Sequence, residues 1–203
     1  MLTGTISGIL AGILISIGGT VFLACDNKYF GAVLFSVALL CICLKGYSLF
    51  TGKVGFIPEK HGKAEFRVLF TGLLGNAVGT IAGGYAIRYA LPKVGDTAEA
   101  ICTAKLEVGF PAVLIKAVFC GILMYLAVSI FRDSGKIVGI LFCIPVFILS
   151  GFEHSVADIF YFAASGIVSF DAFLFILSVI FGNAIGGMLL PSLQMIGKGK
   201  ENA

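Results

Sequence analysis

Residues 151–158 read Gly-Phe-Glu-His-Ser-Val-Ala-Asp and place two acids and a histidine inside an otherwise apolar region. The flanking stretches, 137–149 and 159–164, contain no charged side chain. An ionisable side chain at bilayer depth costs from a few to more than about ten kcal/mol, so it seldom persists without a partner or a pathway. The octet 151–158 therefore predicts a functional site inside a membrane protein.

The composition is that of an integral membrane protein. The 203 residues are 59% hydrophobic and 12% charged, and the mean hydropathy is +1.06, which is far more apolar than a soluble domain. A helix needs about 20 apolar residues to cross a bilayer. Charge-poor segments of that size occupy residues 3–24, 30–52, 68–90, 109–131, 137–164 and 170–192. The fifth is too long for one crossing, so we expect two half-helices around a break at the octet.

Basic residues orient these segments. The first segment has no basic residue before it and exceeds a signal-peptide core in length, so we expect it to remain as a helix. With both termini on one side, that side has more lysine and arginine than the other, which predicts cytoplasmic termini. The two sets are Lys60, Lys63, Arg67, Arg132, Lys136, Lys198 and Lys200 against Lys28, Arg88, Lys93 and Lys105.

Nothing in the sequence predicts a metal, a cofactor or a nucleic-acid partner. The six cysteines, at 25, 41, 43, 102, 120 and 143, lack the CxxC spacing of metal sites, and we expect reduced packing residues. The net charge of +3 is spread over the connecting loops. A competing hypothesis is an enzyme with a metal or thiol site at Cys120, Cys143, Glu153 and His154. It is disfavoured because the cysteines lack the spacing of metal ligands.

A short motif occurs twice and indicates an internal repeat. Gly75-Asn76-Ala77-Val78-Gly79 in the third segment matches Gly182-Asn183-Ala184-Ile185-Gly186 in the sixth, and residues 49–53 correspond by position to 151–155. Three segments in each half require opposite orientations of the halves. Inverted repeats of this kind place a substrate pathway near the bilayer midplane, between interrupted helices. We expect one domain, 1–203, with repeats of about 1–92 and 106–203.

The simplest prediction from the repeated motifs is close packing of helices. Their small residues favour close approach of helices in lipid, and Asn76 and Asn183 are expected to bond a neighbouring helix or the broken segments. Thr51, Gly52 and Lys53 interrupt an apolar run at the position that corresponds to the octet. Non-helical backbone at this depth requires burial in protein or a water-filled cavity.

These features together resemble the formate/nitrite transporter family. The resemblance rests on Leu49-Phe50-Thr51-Gly52, on residues 151–157 and on the two Gly-Asn-x-x-Gly motifs, in this order on six segments, and covers residues 8–190. It implies an aquaporin-like all-α fold with helices 2 and 5 broken. It also implies a homopentamer with one pore per protomer, passing small monovalent anions or their conjugate acids. Members of the family include formate, nitrite, lactate and hydrosulfide channels.

The resemblance assigns roles residue by residue. His154 matches the central pore histidine, and Thr51 matches the threonine that faces it. Matches to the apolar constrictions around them are Phe35, Leu39, Leu49, Phe50, Met124 and Phe147. Without the resemblance, these six residues are typical of an ordinary core.

Three positions depart from the family pattern. Lys53 stands where asparagine or serine is common, and Asp158 and Gly121 stand where asparagine is common. Lys53 and Asp158 carry opposite charges and follow the two breaks, so we predict that they form an ion pair across the repeat interface. The alternative leaves Lys53 free in a vestibule as an anion attractor, with Asp158 near the opposite surface.

The chemistry of an apolar pore leads to an expected mechanism. An isolated charge is very costly in a low-dielectric medium, so the neutral acid crosses far more easily than the anion. We expect Lys53 and Lys116 to attract the anion, and Glu153 to face away from the pore and hold the broken helix. His154 is either a proton relay, with an unperturbed pKa of about 6.5, or a permanently neutral hydrogen-bond donor.

The leading functional hypothesis is therefore a passive or proton-coupled channel for a small monovalent anion. Formate is the first expectation, with hydrosulfide and nitrite left open. A channel for neutral solutes on the same architecture is the alternative class.

Overall fold

The computed structural model describes the backbone of residues 2–201 and the side chains of residues 4–197, and all regular structure there is helical. Lys198 and Lys200, which enter the orientation argument, lie outside the described side chains. The helices are α1 (Leu2–Ala24), α2 (Lys28–Lys45), α3 (Phe50–Lys53), α4 (Lys63–Ala90), α5 (Pro92–Leu106), α6 (Phe110–Ser134), α7 (Val138–Leu149), α8 (Ser155–Ser165) and α9 (Phe170–Glu201), with a 3₁₀ turn at Val54–Phe56.

Five helices of the described chain are long and apolar enough to cross a membrane. They are α1, α2, α4, α6 and α9. The apolar region 137–164 forms two shorter helices instead, α7 and α8, and residues 150–154 between them are not helical. Residues 46–49, between α2 and α3, are not helical either.

Glycines in the left-handed conformation end the helices that precede both non-helical segments. Gly46 has φ 68° and its N–H bonds the carbonyl of Cys43, which closes the end of α2. Gly151, with φ 67°, lies in the segment after α7. This conformation is unfavourable for residues with a Cβ and satisfies carbonyls that the helix end leaves unpaired. The chain can therefore turn inside an apolar environment without stranding its polar backbone.

The connection between the third and fourth apolar segments, expected only as a polar link, is a helix. Helix α5 begins at Pro92, a residue well suited to the first helical position. Its buried face repeats every fourth residue, at Val94, Ala98 and Cys102, and packs against α8. Lys105 follows on the next turn of that face and is thereby brought beside the octet.

Close glycine contacts hold the two pairs of long helices, α1 with α4 and α6 with α9. A Cβ on Gly75 would lie 2.9 Å from the Cα of Gly8, and a Cβ on Gly121 would lie 2.8 Å from the backbone nitrogen of Gly187. Neither site has room for a side chain. Gly121, one of the departures from the family pattern, thus has a packing role here.

Candidate functional site

The two interrupted regions meet at a hydrogen bond between Thr51 and His154. Thr51 Oγ1 lies 2.9 Å from His154 Nε2, although the residues are 103 positions apart. Thr51 belongs to the four-residue helix α3, and His154 is the residue at the N-cap of α8. Both side chains are buried. The structure therefore brings together the two residues predicted for the pore centre.

The second ring nitrogen of His154 identifies its protonation pattern. Nδ1 accepts the backbone N–H of Ala157 at 3.1 Å and so caps α8. A ring nitrogen that accepts a hydrogen bond carries no hydrogen, which assigns the proton to Nε2 and makes the Thr51 hydroxyl oxygen its acceptor. A proton on Nδ1 would break the cap, so this arrangement is that of a neutral imidazole.

Aromatic rings cover His154 on its apolar side. Phe147 stacks on the imidazole with centroids 5.5 Å apart and planes at 18°, and Phe35 meets Phe147 edge-on with centroids 6.3 Å apart. The other residues predicted for the constrictions, Leu39, Leu49, Phe50 and Met124, are also buried. Burial alone is equally a property of core residues. What distinguishes Leu39, Leu49 and Phe147 is that each of them borders a cavity.

The first cavity, which we call the histidine cavity, has a volume of about 370 Å³ and is bordered by Phe147, His154, Glu153, Asp158, Lys105 and Lys116. The second, which we call the basic cavity, has a volume of about 310 Å³ and is bordered by Leu39, Leu49, Lys53 and Arg132. Leu39 lies one helical turn after Phe35 on α2. Phe147 borders the histidine cavity, Leu39 borders the basic cavity, and Phe35 contacts Phe147. We call these three apolar side chains the apolar barrier, and the cavities that they border both contain cationic groups.

The predicted ion pair between Lys53 and Asp158 is wrong. Asp158 Oδ1 lies 3.1 Å from the Nζ of Lys105, and Lys53 makes no ion pair among the described side chains. Lys53 borders the basic cavity, and Asp158 borders the histidine cavity. The reason is geometric, because α8 directs Asp158 towards α5 and away from the α3 region.

An ionic cluster lines the histidine cavity. The Lys105 ammonium contacts the Oε2 atom of Glu153 as well as Asp158. Lys116 Nζ lies 3.9 Å from the other Glu153 oxygen, Oε1, and its side chain is 36% exposed. Glu153 and Asp158 are 2% and 1% exposed. Two buried carboxyl groups thus share the ammonium of the half-buried Lys105, with a second ammonium at the rim.

Glu153 differs from the expectation that it faces away from the pore. Its carboxyl group borders the same cavity as His154 and binds Lys105. Its backbone carbonyl accepts a hydrogen bond from Asn183 Nδ2 at 2.8 Å. The contribution of Glu153 to holding the interrupted region therefore comes from the backbone, and the carboxyl group belongs to the cavity.

Asn76 and Asn183 make matching sets of three buried hydrogen bonds. Each Oδ1 accepts the first free backbone N–H of a short helix at 2.9 Å, from Phe50 and Ser155 respectively. Each Nδ2 donates to a loop carbonyl and to a carbonyl of a long helix. The loop carbonyls are those of Ser48 and Glu153, and the helix carbonyls are those of Gly8 and Ala117. The asparagines therefore satisfy backbone groups that the interruptions expose.

Lys105 is a residue of this site that the sequence reasoning missed, because it was counted as a loop charge. The available signal was the four-residue spacing of Val94, Ala98 and Cys102, which places Lys105 near the buried face of an amphipathic helix. Burial alone would lower the pKa of Lys105, but the carboxyl groups of Asp158 and Glu153 outweigh it and raise the pKa. Lys105 is therefore a permanent cation at neutral pH.

The cysteines and the site acids do not form a metal cluster within the described part of the chain. No group of three or more histidine, cysteine, aspartate or glutamate side chains is arranged there to hold an ion. Cys102 and Cys120 are fully buried, and all six thiols are free.

Comparisons with known proteins agree with this geometry. The family model described as formate/nitrite transporter matches residues 1–196. The chain belongs to the formate/nitrite transporter family. It is 31% identical over 187 residues to an uncharacterised transporter, YrhG, of Bacillus subtilis, covering 82% of this chain and 70% of the relative. It is 27% identical over 225 residues to a formate-nitrite transporter of Plasmodium ovale, with 90% and 72% covered.

The fold of this formate/nitrite transporter family member also has a solved counterpart. A pentameric formate channel with formate bound superposes with a TM-score of 0.78 at 23% identity, covering 96% of this chain and 95% of the other. At that identity the likeness establishes the fold. The described helices thus belong to a known membrane channel architecture, and the family is one of transport channels for small anions.

Proposed function

We propose that this protein is a channel that passes a small monovalent anion, first of all formate, across the membrane in the form of its conjugate acid. The observation that carries the proposal is the buried Thr51–His154 pair beside an apolar barrier, with a cation-containing cavity on each side. Hydrosulfide and nitrite have the same charge and similar size, and they are the competing substrates.

The barrier explains why the neutral acid is the crossing form. Phe35, Leu39 and Phe147 offer no polar group to replace water around an anion, and an unpaired charge in such surroundings is strongly disfavoured. A neutral acid needs only hydrogen-bonding partners. The Thr51 hydroxyl oxygen accepts the Nε2–H of His154, so its own hydrogen is free to be donated to the acid at the edge of the barrier. In the proposed mechanism His154 stays neutral, and Nδ1 remains committed to the α8 cap.

We further propose six membrane crossings arranged as two inverted repeats, of about 1–92 and 106–203, in an aquaporin-like fold. In this arrangement α2 with α3 forms one interrupted crossing, and α7 with α8 forms the other. The matching hydrogen bonds of Asn76 and Asn183 support the relation between the repeats, as do the corresponding helix pairs α1 with α4 and α6 with α9.

The proposed assembly is a homopentamer in the cytoplasmic membrane, with one pore in each protomer and both termini in the cytoplasm. The pentameric state of the formate channel that shares this fold supports the stoichiometry. The excess of lysine and arginine on the side of the termini supports the orientation. Native mass spectrometry of the detergent-solubilised protein tests the stoichiometry directly, and any other number of subunits overturns it.

A flux panel in liposomes tests the function. Purified protein is reconstituted and uptake of formate, nitrite, hydrosulfide, acetate and lactate is measured at pH 5.5 and pH 7.5. We expect formate flux well above that of empty liposomes, with larger acids excluded. The matched control is Thr51→Val, which keeps the side-chain shape and removes the hydroxyl. Flux of urea or water with none of the anions would instead identify a neutral-solute channel.

A further inference from the structure

The charges of the buried cluster beside His154 do not balance. Lys105 contacts both Glu153 and Asp158, so two carboxyl groups share one ammonium. If both were ionised, Lys105, Glu153 and Asp158 together would carry a net charge of −1. Like charges held this close in a low-dielectric site strongly oppose simultaneous ionisation, and such pairs retain a proton.

The surrounding groups do not supply the missing positive charge to Asp158. Helix α5 contributes Lys105 and Cys102, and α6 contributes Cys120 and Lys116, which approaches Glu153 and is one-third exposed. On α8 itself the neighbours are His154 and Tyr161. Arg88 of α4 bonds the carbonyls of Ala164 and Ser165 at the far end of α8. Lys53 of α3 and Asp171 of α9 border other cavities, and α1 presents no charged side chain in its described part.

One oxygen of Asp158 also lacks a partner. Oδ1 binds Lys105, but Oδ2 is buried and has no hydrogen-bonding partner among the described residues. An ionised carboxylate left without donors is far less favourable than a protonated one, because desolvation penalises the charged form most. The residue is 1% exposed and borders the histidine cavity.

We propose that Asp158 and Glu153 form a proton-binding pair that shares one exchangeable proton and delivers it to the anion in the histidine cavity. This inference rests on the proposed transport function and names the proton donor for it. His154 is not the donor, because its Nδ1 is occupied by the α8 cap and its Nε2–H is directed to Thr51. The chemistry of the ligand is that of a proton and of a weak-acid anion.

The transfer is balanced. The O–H bond of the carboxylic acid breaks, an O–H or S–H bond forms on the anion, and the neutral acid enters the barrier. The carboxylate left behind is held by the Lys105 ammonium. Water in the cavity then returns a proton to the pair from the aqueous side. No oxidant or further reactant is needed.

The first test detects the proton shared by Asp158 and Glu153 without measuring transport. Infrared spectra of the purified protein are recorded from pH 5 to pH 9, where ordinary carboxyl groups are ionised over most of the range. We expect a carboxylic acid C=O band that declines as pH rises, disappears in Asp158→Asn and persists in the control Asp171→Asn. Glu153→Gln also removes the band, because the remaining Asp158 then pairs alone with Lys105 and ionises. Either variant therefore suffices if the other does not fold.

The second test measures delivery of the proton to the transported anion. At pH 7, Asp158→Asn is expected to lower formate uptake into liposomes about a hundredfold, the low end of the range for a positioned proton donor. Asp158→Glu retains the band and recovers part of the flux. The proposal is overturned if the wild type lacks the band. It is also overturned if Asp158→Asn loses the band while its formate flux and its pH profile stay the same as those of the wild type. A wild type with the band but no anion flux refutes the transport function and, with it, delivery, while the shared proton stands.

Discussion

The two interrupted regions have the same scaffold and different chemistry. Asn76 holds the start of α3 and Asn183 holds the start of α8 with equivalent hydrogen bonds. The α3 region, however, is four residues long and borders a cavity whose charged side chains are the cations Lys53 and Arg132. The α8 region is eleven residues long and borders a cavity with two carboxyl groups and two ammonium groups.

This difference distinguishes the features that support the interrupted backbone from the features that act on the substrate. Hydrogen bonds that satisfy interrupted backbone are needed wherever a helix breaks in an apolar environment, so both regions have them. Charge is needed only where it acts on the substrate. A purely cationic cavity attracts an anion, whereas a cavity with acids and bases can also exchange a proton. The two sides of the barrier are thus suited to different steps.

The largest effect is expected from Lys105→Met. Removing this cation leaves Glu153 and Asp158 buried without their shared partner, which costs about 3–5 kcal/mol of stability for a broken buried pair. Because the pKa of Lys105 is raised, its stabilisation is fully present below the ordinary pKa of lysine, near 10.4, and is lost only as pH rises through the higher folded value. Thermal unfolding in detergent at pH 5 and pH 8 measures the loss.

The control is Lys53→Met, which removes a lysine on the other side of the barrier and is expected to change the unfolding temperature little. Acidification should reduce the deficit of Lys105→Met, since the two carboxyl groups then take up protons. Equal destabilisation by the two lysine variants would remove the distinction between the two cavities.

Asn76→Ala and Asn183→Ala test the common scaffold and are expected to come next in size. Each removes three buried hydrogen bonds, whose net contribution to stability is about 0.5–1.5 kcal/mol per bond. Because the bonding is equivalent, the two losses should be similar. Size-exclusion profiles and unfolding temperatures compare them, and a stable Asn76→Ala protein beside an unfolded Asn183→Ala protein would break the equivalence.

Substitutions of His154 separate its two bonds. His154→Phe removes both, whereas His154→Asn keeps a side chain well suited to capping α8 and loses the ring N–H that faces Thr51. We expect His154→Phe to lower stability by about 0.5–2 kcal/mol, the usual value of a cap, and His154→Asn to recover most of it. Formate uptake should fall in both. Normal uptake by His154→Asn would mean that the ring acts only as a cap.

The smallest quantity is expected to be the coupling energy between Lys53→Met and Asp158→Asn. The two residues border different cavities, so their effects on stability should add within about 0.5 kcal/mol. Lys53→Met alone should lower anion uptake by about two- to threefold at low salt and less at high salt, because salt screens the long-range attraction between the Lys53 ammonium and the incoming anion. A coupling energy well above that limit would indicate a contact across the barrier.

The sequence by itself determined the membrane class, the family and the central pair. Hydropathy defines the apolar segments because crossing a bilayer requires length and apolarity, and ionisable residues in such a segment are conspicuous for the same reason. The repeated Gly-Asn-x-x-Gly motif likewise pointed to Asn76 and Asn183 before their bonds were known. Family resemblance added Thr51 as the partner of His154.

Only the tertiary structure decided which charges pair. Lys53 and Asp158 looked complementary because both follow an interruption, but pairing depends on the direction in which each helix leaves its break. Helix α8 packs against α5 and so brings Asp158 to Lys105, a residue that sequence reasoning had assigned to a loop. Periodicity marks the face on which a residue lies. Periodicity does not indicate which distant helix packs against that face, because the packing of the whole chain decides which faces meet.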